Sequence, residues 1–499
     1  MSSSESAIVE PTRIATGVSG LDDILSGGLP AGQMYLLEGT PGTGKTTVAM
    51  QFIMAGAQAG EGVLYVTLSE SKLELESSAR SHGWNIHQLS IAEFVPAEAS
   101  LSPEQQYTVF HPSEIELAST IQKLTQIVEE QRPNRLVIDS LSELRLLAAD
   151  TMRYRRQLLA LKQFFVGRDT TVLLLDDRSA DGSDMQLQSI CHGVIRLDKV
   201  QRSYGVTRRQ VEIVKMRGSA YREGFHDYTI ETGGVRIYPR LVANEHNGRF
   251  INERVKSGLP ALDEMFGGGV NRGSSTLIVG PTGAGKSTLA MQYACSAAQR
   301  GDRAIVYAFD EILRTAQERA ESLGLPVVKE MERGTLAMSQ VDPAELSPGE
   351  FVWQIRRDVE EKDTRVVVID SLNGFLNAMP GERDLMLQLH ELIAFLNQKG
   401  VVTFIILTQH GLVGSMHAEV DVSYLADTVV LLRYFEADGE IRQVISVLKQ
   451  RVGRHERTLR ELRMDDAGIQ VGEALRNFRG ILTGVPDTLK KPMQPQSEA

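Results

Sequence analysis

Two stretches of this chain carry residue types at a spacing suited to holding phosphate. Gly39–Thr47 reads GTPGTGKTT and Gly280–Thr288 reads GPTGAGKST. The pattern G-x-x-x-x-G-K-[ST], placed after a strand and opening a helix, turns backbone N–H groups and a helix N-terminus toward phosphate oxygens. Gly39, Thr40, Gly42, Thr43, Gly44 and Thr47 form the first cradle, and Gly280, Thr282, Gly283, Ala284, Gly285 and Thr288 the second. Lys45 and Lys286 then reach the β- and γ-phosphates of a bound nucleotide. The hydroxyls of Thr46 and Ser287 are placed for Mg²⁺, which keeps several waters and needs few protein ligands.

Acids and cations complete each set. Asp139 and Asp370 end the apolar runs LVID and VVID, which puts a carboxylate at the carboxyl edge of a sheet, where it can hold the magnesium. Glu70 closes VLYVTLSE and Glu311 closes IVYAFDE, each on the strand after the loop helix; a carboxylate there can draw the proton from an attacking water or hydroxyl. Asp310 precedes Glu311, whereas Ser69 precedes Glu70. Lys215 with Arg217, and Lys449 with Arg451, are spaced i, i+2 and share one face of a strand. Two adjacent cations call for an anion, and a γ-phosphate from an adjacent subunit would serve. Each feature has a plain structural alternative: an aspartate capping a turn, an acid at a helix start, a solvated cationic face.

Positioning two such sets takes two scaffolds, and the chain supplies them as a repeat. Thr16–Asp22 answers Ser257–Asp263, and Ala49-Met-Gln51 answers Ala290-Met-Gln292. Lys286 follows Lys45 by 241 positions and Asp370 follows Asp139 by 231, so the first half holds ten extra residues between the motifs, expected near Trp84 to His111. At 499 residues the chain exceeds one core. The halves are expected at 13–247 and 248–482, with disordered ends at 1–12 and 483–499. Apolar strands alternating with helices predict α/β domains, each a mostly parallel sheet covered on both faces, and the alternating runs Gln210–Met216 and Gln443–Lys449 predict an antiparallel extension.

Composition removes other classes. The start MSSSESAIVEPT is polar and no run approaches the ~18 apolar residues of a membrane span, which predicts a cytoplasmic protein without membrane contact. Cys191 and Cys295 lack metal-ligand spacing and read as buried thiols. A net charge of −11 argues against nucleic-acid backbones as the main partner.

On the duplicated P-loops, the paired Asp-Ser-Leu strand ends and the closing EALRNFRGILTG, the chain resembles the RecA/DnaB-type ATPases and, more closely, the double-domain KaiC family of circadian clock proteins. The resemblance implies tandem RecA-like domains in a double-ring homohexamer with ATP between neighbouring subunits. It implies slow ATP hydrolysis in the first half and autophosphorylation in the second, acting on adjacent hydroxyl residues near the subunit boundary. In Asp421–Thr428, Ser423 falls on the first such position and Tyr424 stands at the second; the first half has Gln188, without a hydroxyl. A KaiB-like partner on the first ring is also consistent with it. Two other readings stay open: a nucleotide-gated scaffold, and a DNA-acting ATPase. The loops after Asp177 and His410, DRSADGSDMQLQ and GLVGSMHAEV, are nearly free of Lys and Arg, which counts against the latter.

Overall fold

The computed structural model describes residues 12–94, 112–148, 150–178, 185–201, 205–246, 248–377, 385–409, 423–437, 439–483 and 487–488. Most of the two expected disordered ends, and of the loops after Asp177 and His410, lie outside the described residues. The chain separates into two compact units, Met1–Arg240 and Leu241–Ala499.

Each unit is built on a nine-stranded sheet, and the two sheets share one strand order. In the first, Ser90–Glu93, Val63–Thr67, Arg135–Asp139, Thr171–Asp177, Met34–Gly39 and Gly193–Val200 lie parallel in that order. Arg208–Met216, Phe225–Glu231 and Gly234–Tyr238 continue it antiparallel. In the second, Leu336–Gln340, Arg303–Ala308, Thr364–Asp370, Val402–Thr408, Ser275–Gly280 and Thr428–Ala437 are parallel. Glu440–Gln450, Arg460–Asp465 and Gly468–Ala474 extend it antiparallel. The P-loop strand is the middle one in both.

Continuous apolar runs form these central strands because both faces are covered. All six residues of Met34–Gly39 and of Ser275–Gly280 are buried. Tyr35, Leu37, Tyr65 and Val137 face the helices Lys45–Gln58 and Lys72–Ser81, while Leu36, Leu64, Val66 and Leu136 face the helices Pro112–Gln131, Leu141–Ala148 and Thr151–Phe165. The second unit repeats this division, with Ile278, Val306 and Val368 on one face and Leu277, Ile305 and Val367 on the other. Residues 94–111 separate Ser90–Glu93 from its following helix, against 341–347 in the second unit, so the extra length of the first half falls largely there. Cys191 and Cys295 are buried free thiols, pushed up to about 12 by burial.

One buried imidazole ties the antiparallel extension to the end of the first unit. His226 is 1% exposed; its Nε2 donates to the Arg222 carbonyl at 3.1 Å and its Nδ1 accepts from the Arg240 N–H at 2.8 Å. Burial holds it down at about 4; the Arg222 and Arg240 charges also lower it, while the Arg222 carbonyl and Asp23 act against them. As pH falls from ~6.5 the unfolded chain takes the proton while the folded chain refuses it, so stability drops by on the order of 3 kcal/mol by pH ~4. Urea unfolding between pH 7 and 4 should show this loss, reduced in His226→Gln. An equal loss in that variant would place the titration elsewhere.

Candidate nucleotide sites

Both P-loop helices begin without a side-chain cap, so their first N–H groups point into the loop uncommitted to any cap residue. The residue before each is a glycine in the left-handed region, Gly44 at φ 92° and Gly285 at φ 88°. A Cβ there would also lie 2.8 Å from Ile230 Cδ1 and 2.2 Å from Met464 Cε respectively. Only glycine closes this turn without strain.

In the first half, Lys45 is buried and its Nζ donates to the carbonyls of Gly39 (2.9 Å) and Thr40 (3.3 Å). The same Nζ lies 2.8 Å from Asp177 Oδ1. Thr46 Oγ1 donates to Asp139 Oδ2 at 3.0 Å, and Tyr65 OH donates to the same oxygen at 2.6 Å. Burial pushes the Asp139 carboxyl up, against the pull of Tyr65, Thr46 and Lys45. A hydroxyl beside a carboxylate is a donor set that suits a hard divalent cation with the remaining positions left to water and phosphate. Among the described residues no group of three or more His, Cys, Asp or Glu side chains is arranged for a metal, so a cation here would rest on the nucleotide as much as on the protein. Glu70 is half-buried; burial first, then the charges of Asp139 and Glu74, raise its carboxyl above the usual range. That shift moves a carboxylate toward the basicity a proton acceptor needs.

In the second half, Lys286 is buried, donates to the Pro281 carbonyl at 2.7 Å and is pushed down to about 8 by burial, with Asp370 acting against it. Burial raises the Asp370 carboxyl; the Ser287 hydroxyl and Arg319 lower it, and Glu311 and Asp310 raise it further. Asp310 accepts a hydrogen bond from Ser371 Oγ. Glu311 is held by Arg319 at 2.8 Å, a cation for which Glu70 has no counterpart, since Ser78 stands 241 positions earlier. Val306 occupies the register place of Tyr65, so Asp370 lacks the tyrosine donor.

Lys215 and Lys449 lie on the antiparallel strand next to the parallel sheet, but Arg217 and Arg451 fall one residue past its end, so the pairs do not share a strand face as their spacing suggested. Lys215 Nζ donates to the Gln188 carbonyl, Arg217 to that of Ser189 at 2.8 Å, and Lys162 to that of Ile190 at 2.8 Å. Three cations thus meet the carbonyl end of the short helix Met185–Ile190. Lys449 donates to the carbonyls of Ser423 (3.0 Å) and Ala426 (2.9 Å), and Arg451 to that of Tyr424 (2.6 Å). Asp427 pins this turn to the P-loop strand through Ser275 and to Asn397. Both pairs therefore grip the equivalent turn of their own chain. In the first half the Gln188 amide is spent on the buried Glu38 at 3.0 Å; in the second, Ser423 presents a hydroxyl on a half-buried residue and Tyr424 is exposed. Asp421 and Val422 lie outside the described residues.

Sequence reading missed Asp177, Tyr65 and Arg319. Asp177 closes the apolar run TVLLLDD as Asp139 closes its own, a signal that was there to be used. The other two announce nothing locally.

A parallel sheet carrying its P-loop on the middle strand, extended antiparallel on one side and present twice, defines a protein of two tandem RecA-like P-loop domains. A family model described as the KaiC ATPase matches residues 14–242 and again 255–476. The chain belongs to the KaiC ATPase family. It is 30% identical over 487 residues to the circadian clock oscillator protein KaiC of Acaryochloris marina, covering 96% of this chain and 92% of that protein. The KaiC of Thermostichus vulcanus is also 30% identical, over 97% of this chain and 94% of its own length. The circadian clock protein KaiC3 of a Synechocystis strain is 28% identical over 95% and 94%. Nucleotide binding and ATPase chemistry follow from the family. Among the described residues no helix is long and apolar enough to cross a membrane.

Proposed function

We propose that the chain is a ring-forming ATPase whose first half hydrolyses ATP slowly and whose second half phosphorylates Ser423. The observation that carries this reading is the exchange at one gripped turn: Ser423 in the second half, Gln188 in the first. In the second half the Ser423 oxygen attacks the γ-phosphorus, the bond to the ADP oxygen breaks, and the hydroxyl proton passes to Glu311 or Asp310. In the first half water takes the place of the serine and Glu70 takes the proton. Mg²⁺, held by Thr46 with Asp139 and by Ser287 with Asp370, would neutralise phosphate charge. Lys45 and Lys286 orient the phosphates.

The arrangement calls for a homohexamer with ATP between subunits, so that Lys215, Arg217, Lys449 and Arg451 stand near a neighbour's nucleotide while setting the turn in their own chain. A KaiB-like protein is the expected partner of the first ring, and a regulatory role of clock or signalling type follows from the relatives; nucleic acid is not an expected partner. The Arg319–Glu311 ion pair favours one alternative, a nucleotide-gated scaffold in which the second half turns over little, because a carboxylate tied to a cation is a poorer base.

Peptide mass spectrometry after incubation with Mg²⁺ and ATP separates the two. Wild type should carry one phosphate at Ser423, absent from Ser423→Ala. No phosphate despite measurable ATP hydrolysis would replace the kinase with the scaffold.

A further inference from the structure

We propose that Asp177 is a specificity-determining residue of the first nucleotide site, a carboxylate that competes with phosphate for Lys45 and sets the site against nucleotide lacking a divalent cation. The inference rests on the reading of the first half as a nucleotide site. Strand register places Asp177 directly beside Gly39, the first residue of the P-loop. Its Oδ1 lies 2.8 Å from Lys45 Nζ. Ser142 Oγ accepts from the Asp177 N–H at 3.1 Å and stands 3.3 Å from Asp177 Oδ2, while its own proton has a closer acceptor in Asp176 Oδ1 at 3.0 Å. The carboxylate is therefore a placed group, and its 45% exposed side chain leaves it room to turn aside.

The second half shows what the site is without it. Thr408 occupies the same register beside Gly280, and Lys286 donates to a backbone carbonyl. No acid stands at that place in the second loop.

A phosphate entering the first loop must take Lys45 from Asp177, and the displaced carboxylate stays within range of the incoming charge. Asp139 adds to the repulsion; the Asp177 charge is already among the causes that raise the Asp139 carboxyl. The penalty grows with the negative charge on the nucleotide, so it falls harder on free ATP than on its magnesium complex. It also raises the apparent dissociation constant, which is the intrinsic one divided by the fraction of sites in which Lys45 is free of Asp177.

Trp84 lines the same small recess as Thr46 and Thr47, and the chain's only other tryptophan is Trp353. In full-length Trp353→Phe protein, energy transfer from Trp84 to N-methylanthraniloyl-ATP reads nucleotide binding at the first site, with Mg²⁺ or with EDTA. Asp177→Asn and Asp177→Thr should each tighten metal-free nucleotide by roughly tenfold and the magnesium complex by less, shrinking the ratio between them. Wild-type affinities and ratio in both variants, or weaker binding in both, would overturn the proposal. Lys45→Ala keeps the two readings apart: if it weakens binding while the Asp177 variants change nothing, Asp177 alone is wrong. If Lys45→Ala binds as wild type, the nucleotide reading of this loop fails with it.

Discussion

Lys286→Ala is expected to abolish phosphate transfer to the second half, lowering it by at least about 10²–10³-fold, while hydrolysis in the first half continues. The lysine is buried, its Nζ donates to the Pro281 carbonyl, and burial has already weakened its hold on the proton, so a phosphate is a far better partner than that carbonyl. Removing it leaves the cradle N–H groups but no mobile cation to follow charge toward the leaving oxygen. The measurement is radiolabel retained on the second half of purified protein, set beside phosphate released in the same tube. Label still accumulating on the variant would show that the second loop is not the donor site. Loss of both signals would mean that the two halves depend on each other for turnover.

The second large effect is expected at Glu70. Glu70→Gln should slow hydrolysis in the first half by roughly 10²–10⁴-fold, the range a positioned proton acceptor contributes. The amide keeps the size of the side chain and leaves the P-loop contacts of Lys45 and Thr46 untouched, so nucleotide affinity should hold while turnover falls. Because burial raises the Glu70 carboxyl, wild-type turnover should decline as pH drops through that raised value, and the decline should vanish in the variant. Phosphate release in the Lys286→Ala background isolates the first half for this test. An unchanged rate would move the base elsewhere, and Asp177 is the nearest other carboxylate to Lys45.

Much of the scaffold is legible in the sequence because the signals are local. A buried parallel strand needs a continuous apolar run, and MYLLEG and STLIVG are such runs. A P-loop needs glycine at its left-handed corner, and Gly44 and Gly285 are where the motif requires them. Alternation of period two marked Gln210–Met216 and Gln443–Lys449, which lie inside the antiparallel strands Arg208–Met216 and Glu440–Gln450. The hydroxyl–aspartate pairs were also within reach, since a motif hydroxyl and an acid at a strand end have one meeting place in a sheet of this order.

The sequence by itself therefore determined two α/β nucleotide domains, their loops, and the acids and hydroxyls at the sheet edge. Tertiary structure alone decided how each site is tuned. Asp177 reaches Lys45 because Thr171–Asp177 is inserted beside the P-loop strand, more than a hundred residues away in the chain. Tyr65 meets Asp139 through strand pairing, and Arg319 meets Glu311 because the helix Leu313–Ser322 starts just after the bend that holds Glu311. Lys215 and Lys449 likewise grip turns that pairing brings under them. Charges act through distance in space, and separation along the chain carries no record of it.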